Sequence, residues 1–133
     1  MKIFTLAMAL VVMLFSAGGQ VWAATAAPKS TPELQQAIGA GKKNTIVFFQ
    51  NPQGGPCREQ KGILEKLHKD RKGGFNIANV STMKEADQRA FYEYGIRNLP
   101  SLVLVDKSGN ISRVFPPGIQ TYEALAVALD GVK

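Results

Sequence analysis

The chain has 133 residues, 16 Lys plus Arg against 10 Asp plus Glu, a net charge of +6 and one cysteine. That length suits one domain, and a single cysteine excludes an internal disulfide. The basic residues are scattered among acids, from Lys42-Lys43 through Arg58, Lys61 and Arg71-Lys72 to Lys107. This is the pattern of a solvated face and not of a nucleic-acid-binding block with interleaved aromatics.

Met1-Lys2 gives a positive start, and Ile3 to Phe15 is apolar apart from Thr5. Small residues follow, with Val21-Trp22-Ala23 and Ala24-Thr25-Ala26 both offering small residues at −3 and −1 of a cut. Residues 1–23 are therefore expected to be a signal peptide, cleaved after Ala23 or Ala26, and the protein to be periplasmic or secreted. The apolar run is short of the roughly 20 residues a spanning helix needs, so no stable membrane span is expected after cleavage. Residues 24–30 read as a linker and 31–133 as the folded domain. Export permits disulfides, so an odd cysteine points to intermolecular pairing, a reactive thiol or a buried inert one.

Thr31-Pro32-Glu33 supplies a cap, a first-turn proline and an early acid for a helix with Leu34, Ala37 and Ile38 on its apolar face. Thr45 to Phe49 ("TIVFF") and Leu102 to Val105 ("LVLV") are continuous apolar runs, as strands covered on both faces require. Between them, a helical pattern follows Pro56 with Cys57, Ile63, Leu64 and Leu67 inward, and ends before Gly73-Gly74. Phe75 to Val80 alternates as a strand. A second helix is expected from Thr82 and Glu85, which stand at capping-box spacing, with Met83, Ala86, Ala90, Phe91 and Tyr94 along it and Gly95 as its stop. Lys107 to Asn110 is a tight turn into a strand over 111–115, which Pro116-Pro117-Gly118 breaks. Thr121 to Leu129 closes the chain as a helix, with Tyr122, Leu125 and Leu129 inward. The order α-β-α-β-α-β-β-α predicts an α/β fold whose first two strands are parallel and whose last two form a hairpin.

Two stretches carry a family resemblance. "IVFFQNPQGGPC" resembles the strand and active-site turn of thioredoxins. "YGIRNLPSLVLVDKSGNI", residues 94–111, is similar to the thioredoxin segment that ends a helix, passes a cis-proline and enters a hairpin. The resemblance covers about residues 31–133 and implies a thioredoxin-like fold, a mixed four-stranded sheet flanked by helices. It implies that Pro100 is the cis-proline, with the Leu99-Pro100 peptide facing an extended client that pairs with it strand-like. Cys57 falls on the second cysteine of the C-G-P-C turn and Gly55-Pro56 on its middle pair. Gly62 falls where many members have a kinking proline.

The departures lie at the chemical positions. Gly54 stands in place of the attacking cysteine, Gln53 in place of the aromatic residue before it, and Phe48 in place of the buried acid that moves a proton. Dithiol exchange needs one thiolate to attack and a second to resolve, so autonomous reductase activity is not expected. The missing side chain at Gly54 implies a more exposed Cys57. The residues leave three readings of Cys57 open: a small core residue, a thiol for an outside partner, or a metal ligand. A metal site is disfavoured because the nearest histidine, His68, is three helical turns away and reads as a surface residue. No metal and no cofactor are expected.

Two functions follow from these readings. One is a binding module that recognises extended polypeptide, or a thiol-bearing protein of the cell envelope, around Gln53, Gly54, Gly55, Pro56, Leu99 and Pro100. The alternative is a monothiol oxidoreductase that uses Cys57 with an external resolving thiol. A structural subunit is a third, hinted at only by Tyr92 and the Pro116-Pro117 bend.

Overall fold

The computed structural model describes residues 25–132; the expected signal peptide, residues 1–23, and a cut after Ala23 lie outside the described residues. The described chain runs α1 (Pro32–Ala37), β1 (Thr45–Gln50), α2 (Gly55–Asp70), β2 (Asn76–Ser81), α3 (Gln88–Glu93), β3 (Ser101–Val105), β4 (Ile111–Val114) and α4 (Tyr122–Asp130). The strands form one sheet in the order β2-β1-β3-β4. β1 pairs parallel with β2 and antiparallel with β3, and β3 and β4 form the expected hairpin.

Every residue of β1 and of β3 is buried, as their unbroken apolar runs predict. The pleat sends alternate residues to opposite faces. Ile46, Phe48, Leu102 and Leu104 meet α2 and α4 through Cys57, Leu64, Leu67, Leu125 and Leu129. Val47, Phe49, Val103 and Val105 meet α1, α3 and the N-terminal arm through Leu34, Ile38, Ala90 and Ala27. The sheet is thus the middle layer of three.

Local signals fix α1 and α4. Thr31 Oγ1 accepts from Leu34 N at 3.1 Å, and Thr121 Oγ1 accepts from Ala124 N at 3.1 Å, each satisfying one of the amides a helix start leaves open. Gly95, at φ 66°, ends the α3 segment in the left-handed region that glycine enters at no steric cost.

Three expectations are corrected. The capping box at Thr82 and Glu85 does not form: a 3₁₀ turn spans Glu85–Asp87, α3 begins only at Gln88, and Met83 is 61% exposed. Asp87 is used elsewhere, its Oδ2 accepting from Ser81 N at 2.9 Å on the outer edge of β2. Glu33 Oε1 does the same for Asn79 N at 2.9 Å, so two carboxylates from flanking segments cover a strand edge that has no neighbour. Residues 25–30 are not a free linker. Ala26 bridges Asn110, Ile111 N donates to Thr25 O at 2.8 Å, Ala27 N donates to Gly109 O at 2.9 Å, and Ala27 is buried. Tyr94 Oη clamps this arm by donating to Pro28 O at 2.7 Å; burial, with Glu93 adding, pushes its phenol well above the ordinary tyrosine range. Finally, His68 is half-buried, with its ring edge-on to Phe75 at 5.3 Å between centroids.

Candidate functional site

β1 runs straight into the turn that starts α2. Asn51 builds that turn: its side-chain oxygen accepts from Gln53 N at 3.0 Å and its carbonyl accepts from Gly54 N at 2.9 Å. An asparagine side chain that mimics a backbone turn in this way fixes the chain reversal locally. Gly54 then caps α2 with an extended backbone and no side chain to offer, while Pro56 occupies the first helical turn, where its missing N–H is harmless. Gln53, Gly55 and Pro56 are exposed, Gly54 is half-buried and Cys57 lies beneath them.

Cys57 is 3% exposed and sits in the same core cluster as Phe48, Leu64 and Leu102. The absent side chain at Gly54 therefore does not uncover it, contrary to expectation: Cys57 stays buried in that cluster. A Cβ placed on Gly54 would stand 3.7 Å from Cys57 Sγ and 3.8 Å from Cys57 Cβ, with Asn51 O at 3.3 Å as its tightest neighbour. A Cβ–Cβ separation near 3.8 Å is what a disulfide spans. The backbone thus keeps the shape of a two-thiol turn around one thiol. Phe48, which the resemblance aligns with a buried acid, is 1% exposed, and its apolar ring can neither accept nor supply a proton.

The second loop of the site precedes β3. The Leu99–Pro100 peptide bond is cis. Pro100 is buried and Leu99 half-buried, so of the two residues expected to face a client only Leu99 offers surface. The loop is pinned at both sides of that peptide. Gly118 N donates to Pro100 O at 2.9 Å, and Ser101 Oγ donates to Asn98 O. Gly118 holds φ +108°, a conformation that excludes ordinary side chains, and this lets its amide turn toward the loop. Among the described residues, neither the Leu99 N–H nor its carbonyl has a hydrogen-bond partner. The Leu99 side chain packs against the cluster that holds Cys57, which ties the loop to the helix start.

Gln60 was missed by the sequence reading, where it looks like one more polar helix residue. It is fully buried one turn after Cys57. Its Nε2 donates to Gln120 O at 3.1 Å and its Oε1 accepts from Gln120 N at 2.6 Å, which satisfies both ends of the amide and locks α2 to the segment before α4. No local signal reveals this, since the partner is sixty residues away. Among the described residues, no group of three His, Cys, Asp or Glu side chains is placed to hold a metal, and no helix is long and apolar enough to cross a membrane.

The topology sets the class. A β-α-β unit and a β-hairpin share one mixed sheet, with a thiol on the first turn of the crossover helix and a proline loop entering the hairpin; this is the thioredoxin fold. The family model for thioredoxin matches residues 25–130, and the chain belongs to the thioredoxin family. Among solved structures it is similar to chloroplastic thioredoxin z, with 19% identity and a TM-score of 0.63 over 76% of this chain and 88% of that one. It is also similar to a mutant thioredoxin from Halobacterium salinarum, with 21% identity and a TM-score of 0.61 over 71% of this chain and 79% of that one. A thioredoxin-like protein from Clostridium perfringens matches with 25% identity and a TM-score of 0.62, over 73% and 82% of the two chains.

Proposed function

We propose that this thioredoxin-family protein is an exported client-binding protein that no longer carries out dithiol–disulfide exchange on its own. The observation that carries the reading is the contrast between its two loops: Cys57 is 3% exposed behind Gly54, while the Leu99 peptide keeps both its N–H and its carbonyl unpaired. An extended polypeptide, or a thiol-bearing envelope protein presenting one, can pair with that peptide as an added strand. Its side chains then lie over Gln53, Gly54 and Pro56, where a second thiol would have reacted. Residues 1–23 serve export to the periplasm or beyond, and cell fractionation of the full-length protein tests that part directly.

The chemical part is tested with Gly54→Cys. The wild-type protein is expected to show no turnover in insulin reduction. The variant is expected to lose two hydrogens in air, by intact mass, as its two sulfurs join. It should then gain measurable insulin reduction, held low because Phe48 and Gln53 remain. Robust turnover by the wild type would overturn the proposal. A folded variant with no gain would show that the turn has lost more than its first thiol.

One observation favours a second reading: Cys57 is retained on the first turn of α2, directly behind Gly55-Pro56. Acting as a monothiol, its thiolate would bond to one client sulfur as the client disulfide breaks, and the other client sulfur would leave as thiolate. A first external thiol would displace the client sulfur from Cys57, and a second would free Cys57 and leave with the first as their own disulfide. If Cys57 from envelope preparations is wholly free, and the native protein resists thiol reagents, this reading fails.

A further inference from the structure

A cleft of about 410 Å³ opens beside the active-site turn, on the β2 side, with Pro52 at the boundary between them. Three cations line it: Arg58 and Lys61 from the first turns of α2, and Lys84 from the segment after β2. Their charges are only partly offset from within. Among the described residues no carboxylate comes within ion-pair distance of Arg58 or Lys84, and Lys61 reaches only an exposed Glu65 at 3.9 Å. The cleft's own carboxylate, Glu33, accepts from Asn79 both the backbone N–H at 2.9 Å and the side-chain amide at 3.2 Å, neutral donors that leave its charge in place to offset one cation. Nearby Asp87 is held to the outer edge of β2 by Ser81 N at 2.9 Å.

Three cations against one carboxylate leave the cleft net positive, and an acceptor-only group such as a second carboxylate is what it can pair with. Ser81 lines it too: its Oγ accepts from Met83 N at 3.1 Å and keeps its hydroxyl proton as a donor.

We infer that this cleft takes an acidic side chain, Asp or Glu, of the polypeptide that crosses the active-site turn, and that the protein therefore selects clients with acid next to the docked segment. The inference rests on the client-binding reading above and deepens it. Carboxylates in this cleft would speed encounter and fix register more than they would add raw affinity.

The test uses the folded protein, ¹⁵N-labelled, at low ionic strength. It is titrated with an extended Gly/Ser peptide carrying two glutamates, with its glutamine twin, and with inorganic phosphate. The acidic peptide is expected to bind about tenfold tighter than its twin, as a few partly exposed charge pairs allow. It should shift the amides of Arg58, Ser81 and Lys84, and the preference should vanish in Arg58→Gln/Lys61→Gln/Lys84→Gln. All three side chains are on exposed residues, so that variant keeps its fold and the neutral peptide reports its intactness. Equal binding of the two peptides, or a preference that survives in the triple variant, overturns the inference. So does phosphate filling the cleft as tightly as the acidic peptide, which would make it a site for small free anions. If the cleft amides respond to the acidic peptide while Gln53 to Cys57 and Leu99 stay silent, the cleft's preference stands and the client-binding reading falls. If the turn and Leu99 respond but the cleft does not, the reverse holds.

Discussion

The two ends of α2 are built on opposite plans. Its start is capped by a glycine without a side chain, carries exposed Gln53, Gly55 and Pro56 around it, and is preceded by a turn in which Asn51 accepts from Gln53 N and Gly54 N. Its end is tied to α4 by side chains: Tyr122 Oη donates to Asp70 at 2.7 Å, Lys66 meets the same carboxylate at 2.9 Å, and Arg71 reaches Asp130 at 2.8 Å and the Ala126 carbonyl at 3.2 Å. Gln60 stands between the two regimes, with its bonds to Gln120 marking where anchoring begins. One helix thus separates an exposed, sparsely bonded turn from the contacts that hold the domain together. A site can stay open and sparsely bonded when stability is supplied elsewhere on the same rigid element.

The sharpest way to break this contrast is to return chemistry to the open end. Phe48→Asp, which places an acid in the core cluster of Cys57, removes a fully buried ring and buries a carboxyl among apolar side chains; it should cost about 4 kcal/mol in urea unfolding. A variant nearly as stable as the wild type would show that the core under the turn is less apolar than described. Gln60→Leu should cost about 2 kcal/mol, because it strands the buried-facing N–H and carbonyl of Gln120. If it costs nothing, the boundary between the two regimes does not lie there.

Arg71→Ala should lower the urea midpoint by less than either, since its partner is exposed and such pairs are screened. The smallest effect is its dependence on pH. Asp130 is held below the ordinary carboxylate range by the hydrogen bond from Arg71, and Asp70 by hydrogen bonds from Lys66 first and Tyr122 next. A carboxyl whose folded pKa is depressed contributes stability above its unfolded pKa and loses it as pH falls through the folded one. The gap between wild type and Arg71→Ala should therefore be full at about pH 6 and close below about pH 4. A gap that is constant with pH would show that the guanidinium acts through Ala126 alone.

The open end was far more legible in the sequence than the anchored one. Unbroken apolar runs revealed β1 and β3, and Thr31 and Thr121 mark their helices because capping is a local affair. The turn residues Gln53 to Cys57 and the Leu99-Pro100 pair stand in contiguous motifs, so their neighbourhood could be named in advance. Distant partners are what the sequence concealed. Thr82 and Glu85 have the spacing of a capping box, yet the next carboxylate, Asp87, is drawn to the free edge of β2, and the helix starts later. Gln60 needed Gln120 to acquire a meaning, and the arm at 25–30 needed Tyr94 and the hairpin turn. The helical pattern placed Cys57 inward, where it lies; what misled was Gly54, since the sulfur is covered by packing in the core cluster, which the absent side chain there does not control.

The carboxylates of Glu33 and Asp87 along β2 have a further consequence. An open strand edge is the usual starting point for the stacking of one copy of a chain on another. Here the outward amides of Asn79 and Ser81 are already answered, by charged groups that repel an approaching backbone carbonyl. The covered edge thereby works against copies of the chain adding to one another strand by strand, and it does so with charge in place of a further element of structure.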